Sequence, residues 1–597
     1  MFTMKRSARF LKILKYISLI LVVLAGIYYF GFEYPFRGRP FSAQRHGNPP
    51  LTPPWALECW LWEDDSNTSA RVDTLLEGYA KYDIPVRTVV LDSPWSLRYN
   101  DFEIDTVLYP QPEKWFRKMQ DKGYRVVLWM TTMIDSKSKD TRITESQDWF
   151  NAAQQKGYLA ADGAQIKWWK GKGGFIDYTN PEAIKWWRGL QQKVFDLGID
   201  GWKLDGTGTL FFKMLGPVPL FYQPTAQGLM TTRTYMDHYY RDEYQHGLTQ
   251  NPEFVTLSRA IDKWPHPEGF APIDASPVNW VGDQKHSWES TGKITAEDKA
   301  NTDIAMDGID GIEMAIQNIL ASAKVGYNII GSDVAGFSGS TIPSRLYIRW
   351  AQFSAFCGLF LNGGHGERAL WKRTPEELEI IRKFSWLHTE LIPYMYTYVV
   401  NAHNGGRVLQ KPIAGKYHYL FGDDFLVAPI YKDRLSNTIS LPEGKWRYFF
   451  NDKEIIEGPK NFDREFPLIE FPVYIREGAI VPMNVSRNYS GIGDQNSEGY
   501  LTWLIYPDVR NEFTVHHPDK SGSTTVVVEN KPDEIFVTLT GVHKPHILNI
   551  HLNVSPKRVT RDGNVLSDSA DYRFDAARNK LIIRTKQYSE GKYLIQK

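Results

Sequence analysis

Cysteine is nearly absent: Cys59 and Cys357 are the only two in 597 residues. That excludes a disulfide framework and a Cys-rich zinc site, and two buried thiols are expected rather than a Cys59–Cys357 bridge. An excess of either charge is lacking as well. Lys and Arg number 70 against 69 Asp and Glu, for a formal charge of +1. Without a basic excess, no nucleic-acid partner is expected. No Gly-rich loop follows a strand as a phosphate cradle would, and no His/Cys/carboxylate cluster has metal-ligand spacing. There is no G-x-S-x-G elbow either. No metal and no cofactor are therefore expected. Internal repeats and low-complexity tracts are missing too.

Aromatic residues, by contrast, make up 14 % of the chain and include 20 Trp. Such side chains serve sugar-handling proteins as stacking platforms, although most belong to a core. The N-terminus has its own character. Lys5, Arg6, Arg9, Lys12 and Lys15 precede an uncharged run over 16–32, at the short end of the roughly 17–25 residues that span a bilayer. Tyr28, Tyr29 and Phe30 fall where an interfacial aromatic belt would lie. The pattern predicts a basic cytoplasmic tail over 1–15 and a signal anchor over 16–32. The remainder is then extracytoplasmic, in a periplasm, at a cell surface or in a lumen. A cleaved signal peptide, and hence secretion, is the alternative.

A Pro-rich linker over 33–53 follows (Pro35, Pro40, Pro49, Pro50, Pro53). From 54 to 404 short apolar runs alternate with helical patterns. Candidate strands cover 55–60, 86–92, 124–131, 201–205, 254–259, 276–283, 327–333 and 359–365. Helical patterns over 70–82, 181–197 and 345–356 lie between some of them. Pro181 suits a first helical turn capped by Asn180. Eight strands with intervening helices predict an α/β fold, a (β/α)8 TIM barrel. After 404 strand-like runs continue without long helical patterns. They predict two C-terminal antiparallel β-sandwich domains, a proximal one over 405–500 and a distal one over 501–597.

Six candidate strands end in a residue able to do chemistry or hold a hydroxyl: Asp92, Asp205, Arg259, Asp283, Asp333 and His365. Their shared position is the rim where the βα loops of a barrel gather. Within Gly201-Trp202-Lys203-Leu204-Asp205, alternation puts Lys203 and Asp205 on one face and Trp202 and Leu204 on the other. With the apolar pair against a helix layer, Lys203 and Asp205 face the interior. The ammonium would keep Asp205 ionised, as a nucleophile requires; a structural Asp–Lys pair would look the same. A rim of carboxylates with one Arg and one His suits glycoside hydrolysis, in which one carboxylate attacks and another donates a proton.

Several motifs, in order, resemble glycoside hydrolase family 31, the α-glucosidase, α-xylosidase and α-galactosidase group. Ile176-Asp177-Tyr178-Thr179-Asn180-Pro181 is similar to the segment before the family's nucleophile strand, and Gly201-Trp202-Lys203-Leu204-Asp205 to the nucleophile motif itself. Leu257-Ser258-Arg259, Asn279-Trp280-Val281-Gly282-Asp283, Gly331-Ser332-Asp333-Val334-Ala335-Gly336-Phe337, Arg349-Trp350 with Gln352-Phe353, and Asn362 with His365 follow in the family's sequence. Phe421-Gly422-Asp423-Asp424-Phe425 and Pro472-Val473-Tyr474-Ile475-Arg476 resemble its proximal β-domain. The resemblance implies a retaining exo-acting α-glycosidase on an α-linked oligosaccharide or glycoside. Asp205 is the implied nucleophile and Asp283 the general acid/base. Asp92, Lys203, Arg259, Trp280, Asp333 and His365 are implied around the sugar. A transglycosylase or a lyase would use the same nucleophile, and a barrel that only binds carbohydrate would keep the same rim.

The sequence also departs from that pattern. The family usually carries a large β-sandwich before its barrel, and here the barrel follows the anchor almost directly, so the pocket is expected to be open or walled by insertions. Lys167-Trp168-Trp169-Lys170-Gly171-Lys172-Gly173 is a candidate wall, whose Trp pair, Trp169 foremost, would stack on a sugar or pack against the neighbouring helix. An insertion over 262–272 separates Arg259 from Asp283, which leaves Glu289, Asp307 and Asp310 as rivals to Asp283. Lys203 resembles xylosidase- and galactosidase-like branches. Glu63, Asp64 and Asp65 are expected in a solvated acidic loop, with a hold on the sugar ring as the alternative. Of four N-x-S/T matches (Asn67, Asn484, Asn488, Asn553), Asn67 is expected in a turn.

Overall fold

The computed structural model describes the chain except residues 1, 38–46, 64–66, 261–270, 289–310, 338–340 and 364–367. Eight parallel strands form the central sheet: β1 (Cys59–Glu63), β2 (Thr88–Leu91), β3 (Arg125–Met130), β4 (Gly201–Leu204), β5 (Val255–Arg259), β6 (Val278–Trp280), β7 (Ile330–Gly331) and β8 (Phe360–Gly363). They run in the order β7-β6-β5-β4-β3-β2-β1-β8, and the bridge Asp333↔Leu361 brings the two ends together. The result is the (β/α)8 barrel expected from the alternating pattern.

The strands are short and, apart from Arg125 at the start of β3, buried along their length, because helices cover them outside and side chains fill them inside. Trp202 shows the outer layer: its ring meets Phe102 at 5.7 Å, Phe195 at 5.4 Å and Phe254 at 6.1 Å. The helix Pro181–Phe195 is capped by Asn180, whose side chain accepts from the N–H groups of Glu182 and Ala183. Its position and cap are those read from the sequence. Both cysteines are free and buried.

Three expected strand positions are corrected. The first strand starts at Cys59 rather than 55, because Pro54 opens a short 3-10 turn, Pro54–Leu57, and has no N–H for a ladder. Glu63 consequently ends β1 and is completely buried. It is not part of a solvated loop; Asp64 and Asp65 lie outside the described residues. The sixth and seventh strands are shorter than read, so Asp283 and Asp333 stand on the loops just beyond them.

Six strands between Gln410 and Arg476 form one sheet after the barrel, with Val473–Arg476 in its interior. Two further sheets, of five and six strands, take up Ile480–Gln596 and enclose a separate apolar core. Pairing is antiparallel throughout except between Leu501–Ile505 and His546–His551. The barrel helix Ser344–Ser354 clamps the first sheet. Arg349 donates to the carbonyls of Glu470 and Phe466, both at 2.6 Å, and Gln352 to that of Leu468 at 2.5 Å. Trp350 of the same helix donates to Ser332 Oγ at 2.9 Å, beside Asp333.

At the N-terminus a helix over Phe2–Tyr28 continues into a wider helical turn, Tyr29–Arg37. The stretch Lys12–Phe36 is long and apolar enough to cross a membrane.

Candidate active site

Asp205 directly follows β4, where the register Trp129↔Lys203 sets β3 and β4 side by side. Paired residues of parallel strands share a face, so Trp129 and Lys203 both point inward. Asp205 Oδ2 accepts from Trp129 Nε1 at 2.9 Å. Its Oδ1 accepts from the Gly206 N–H at 2.7 Å, and from Arg259 Nε at 3.2 Å and Nη2 at 3.0 Å. Burial alone would raise this carboxyl. Arg259 foremost, then Lys203, Trp129 and the Gly206 N–H, outweigh it and hold Asp205 below the ordinary Asp value.

The ammonium expected to keep Asp205 ionised is therefore not its contact partner. Lys203 Nζ donates to Asp92 Oδ2 at 2.6 Å, with both side chains almost fully buried. The reason is geometric. Two residues on one strand face lie along the barrel wall, whereas β2 brings Asp92 across the interior. Burial would lower the Lys203 ammonium, but Asp92 first, then Asp205, Asp333 and Asp283, raise it above its usual value. Asp92 is fixed in turn by the Ser93 N–H at 2.8 Å.

Arg259 bridges the two carboxylates of interest. The Nη2 that meets Asp205 also donates to Asp283 Oδ2 at 2.9 Å. Asp283 is the more open of the two, its side chain 26 % exposed against 12 % for Asp205. Trp280 lies fully buried under the cations, 4.6 Å from the Arg259 guanidinium and 5.1 Å from Lys203 Nζ. Its ring thus carries the two cations rather than facing the opening.

Asp333 occupies the barrel seam and is 1 % exposed. Neither of its oxygens takes a hydrogen bond from a described residue. Burial pushes its carboxyl up to about 7; Lys203 and Arg368 oppose that shift, and Asp283 and Asp92 add to it. Such a carboxyl is short of donors that sugar hydroxyls can supply. His365, Glu289, Asp307 and Asp310 lie outside the described residues.

The wall read over 167–173 is a β-hairpin, Ile166–Trp168 with Gly171–Phe175, that also pairs with Met133–Ser138. Trp168 stacks on Trp129 at 6.3 Å and donates to Asp135 Oδ1 at 3.0 Å. The hairpin therefore backs the tryptophan that holds Asp205. Trp169 sits one residue further out, half-buried and edge-on to Trp168 at 5.1 Å. Trp129 was not singled out from the sequence. Its signal is parity, since it alternates inward with Val127 on β3. Asn67 is buried and donates to the carbonyls of Asp92 and Pro94, so it braces the site.

Two outcomes are expected. Arg259→Met should move the acid limb of kcat/KM upward by about one pH unit or more, because burial of Asp205 then faces less opposing charge. Arg259→Lys should move it less; an unmoved limb in both variants would show that Arg259 does not set the state of Asp205. The second outcome concerns Asp333. Its folded value lies above the ~3.9 of an unfolded Asp. Between the two the folded chain keeps a proton that the unfolded chain has lost, so stability falls as pH rises through that window. Asp333→Asn should therefore gain Tm over the natural chain at about pH 8 and lose that advantage near pH 4; thermal melts with an equal offset at both pH values would contradict the assignment.

Two protein-family models match most of the chain. The model described as "Glycosyl hydrolases family 31 TIM-barrel domain" matches residues 49–297 and 302–398, and that of the family's C-terminal domain matches 401–481. An alpha-xylosidase of Emericella nidulans is 25 % identical over 465 residues, 73 % of this chain and 54 % of the relative. An isomaltosyltransferase of Sporosarcina globispora is 23 % identical over 581 residues, 87 % of this chain and 50 % of the relative. The chain thus spans about half the length of both. In fold it is similar to a GH31 dextranase of Flavobacterium johnsoniae complexed with glucose, with a TM-score of 0.76 at 20 % identity over 92 % of this chain and 71 % of that one. A cycloalternan-forming enzyme from Listeria monocytogenes, in complex with a pentasaccharide substrate, gives 0.75 at 20 % identity over 92 % and 55 %.

Proposed function

The chain belongs to glycosyl hydrolase family 31, and from that premise we propose that it is a retaining exo-α-glycosidase. It removes terminal α-linked sugars through a covalent intermediate on Asp205. The observation that carries this reading is the shared guanidinium. One Arg259 nitrogen reaches Asp205 at 3.0 Å and Asp283 at 2.9 Å. Those two oxygens lie at most ~5.9 Å apart, the sum of the two distances; this supports retention, which wants carboxyls about 5–5.5 Å apart, over inversion at about 6.5–9.5 Å.

Asp205 attacks the anomeric carbon while Asp283 passes its proton to the departing glycosidic oxygen. Asp283 then takes a proton from water as that water attacks the glycosyl-aspartate and frees Asp205. Asp92, Lys203 and Asp333 grip the ring hydroxyls, contacts that can tighten as the oxocarbenium-like transition state forms. A transferase would run the first half unchanged and admit a sugar hydroxyl in place of water. The isomaltosyltransferase relative, matched over 87 % of this chain, favours keeping that second reading. The helix over Lys12–Phe36 is read as an uncleaved anchor, with the barrel on the extracytoplasmic side opposite the basic tail.

The test is the full chain in detergent, assayed on aryl α-glucoside, α-galactoside and α-xyloside, with the first product followed by NMR. The α-anomer is expected first from one of the three sugars. A β-anomer would overturn retention, longer oligosaccharides would select the transferase, and an unsaturated sugar would mark a lyase.

A further inference from the structure

Past Tyr34, fourteen large apolar side chains stand exposed among the described residues, and six of them fall within residues 214–229: Met214, Leu215, Val218, Leu220, Tyr222 and Leu229. The other eight are scattered singly, as is ordinary on a protein surface. The six sit on two consecutive hairpins, Lys213–Leu215 with Val218–Leu220 and Tyr222–Thr225 with Gly228–Thr231. In the first, Gly216 turns the chain at φ +62. Leu215 lies opposite Val218 and Lys213 opposite Leu220 on one face, while Met214 points to the other. A hairpin apolar and exposed on both faces has no core of its own to bury it, and a clustered exposed patch marks a surface that meets something.

What it meets is indicated by its neighbour. Phe221, between the two hairpins, is buried beneath Phe32 at 5.5 Å and Phe36 at 4.9 Å. Tyr222 Oη donates to the Phe30 carbonyl at 2.9 Å. The hairpins are thus fastened to the end of the apolar helix at which the chain would leave a bilayer. Tyr28, Phe30 and Tyr34, all exposed there, are residue types of the membrane interface. The exposed side chains of the hairpins therefore continue the apolar surface of the helix.

We propose that residues 213–231 seat the barrel on the phospholipid surface beside the anchor, with Leu215, Val218 and Leu229 at the boundary of headgroups and acyl chains. This rests on the reading of Lys12–Phe36 as membrane-spanning. The open edges of a two-stranded hairpin keep it out of the hydrocarbon core, where unpaired N–H and C=O groups would go unsatisfied, so the seat is interfacial. It also orients the enzyme. The hairpins follow the strand that leads to Asp205, and the Ala226 N–H donates to Asp177 Oδ2 at 2.7 Å on the neighbouring loop. The rim that carries the carboxylates is then the end of the barrel held towards the membrane, which a single helix on a free linker would not fix.

Single cysteines for an environment-sensitive label can be placed at Leu215, Leu229, Leu21 and Val554, since Cys59 and Cys357 are buried. The full chain is reconstituted in phosphatidylcholine vesicles that contain lipids with a nitroxide near the headgroup or deep in the acyl chain. Labels at Leu215→Cys and Leu229→Cys should lose about half their fluorescence or more to the shallow nitroxide and less to the deep one, as an interfacial position requires. Leu21→Cys should be quenched by the deep nitroxide and Val554→Cys by neither. Quenching at Leu21 with Leu215 and Leu229 no different from Val554 would overturn the seat and leave the anchor standing. No quenching at Leu21, Leu215 or Leu229 would overturn both. Quenching at Leu215 and Leu229 without Leu21 would overturn the anchor and, with it, a seat placed beside a membrane-spanning helix.

Discussion

Asp205→Asn is expected to cut kcat/KM on aryl α-glycosides by on the order of 10⁴-fold or more, about 5.4 kcal/mol of transition-state stabilisation at 1.36 kcal/mol per decade. The amide keeps the shape of the side chain but cannot form the glycosyl ester. Its loss should fall on the chemical step rather than on binding. Asp92, Lys203 and Asp333 remain, so KM or inhibitor affinity should change far less than kcat. The smaller Asp205→Ala leaves a cavity on the face that the carboxylate occupied. Added azide can enter there, attack the anomeric carbon and expel the aryloxide, which gives a β-glycosyl azide. Azide rescue with a β product would identify the attacking face. Turnover by Asp205→Asn close to that of the natural chain would remove Asp205 from the reaction and return it to the role of a structural partner for Arg259.

Asp283→Ala should show a loss that depends on the leaving group. For sugars whose departing oxygen needs a proton, about 10²–10⁴-fold is expected, the usual contribution of a positioned acid. For an aryl group that leaves readily as an anion, the first step should be nearly untouched. Hydrolysis of the intermediate should then be slow, because the same residue serves as base for water. The diagnostic is a burst of phenol followed by slow turnover, with a dependence on leaving-group acidity steeper than in the natural chain. An equal loss across all leaving groups would mean that Asp283 acts only through its contact with Arg259. Glu289, Asp307 or Asp310 would then be the next carboxylates to replace.

The sequence made much of this architecture readable because its signals are local. Alternation along 201–205 separates Lys203 and Asp205 from Trp202 and Leu204, and Trp202 does pack into the outer aromatic layer. The Asn180–Pro181 cap marks a helix start that the structure reproduces. Position at a strand end assigns Asp92, Asp205 and Arg259 to one rim; Arg259 does pair with Asp205 and with Asp283, and Asp92 pairs with Lys203. Where the local signal was thin, the reading slipped. Pro54 delayed the first strand and so turned Glu63 from an expected loop residue into a buried one. The role of Trp129 was hidden because a Trp in an apolar strand looks like core until its N–H is seen to reach Asp205.

By itself, then, the sequence determined the alternation of strands and helices, the strand face that Lys203 and Asp205 share and the family to which its motifs belong. All of these depend on spacings of two to a few residues and on the chemistry of single side chains. Only the tertiary structure decided which charge meets which. Lys203 pairs with Asp92 from β2 rather than with its own neighbour, Arg259 joins Asp205 to Asp283, and the hairpins over 213–231 lie against the end of the N-terminal helix. Such partners come from strands and loops far apart along the chain. Closure of the barrel sets their separation, and electrostatic strength depends on that separation and on burial, neither of which spacing along the chain encodes.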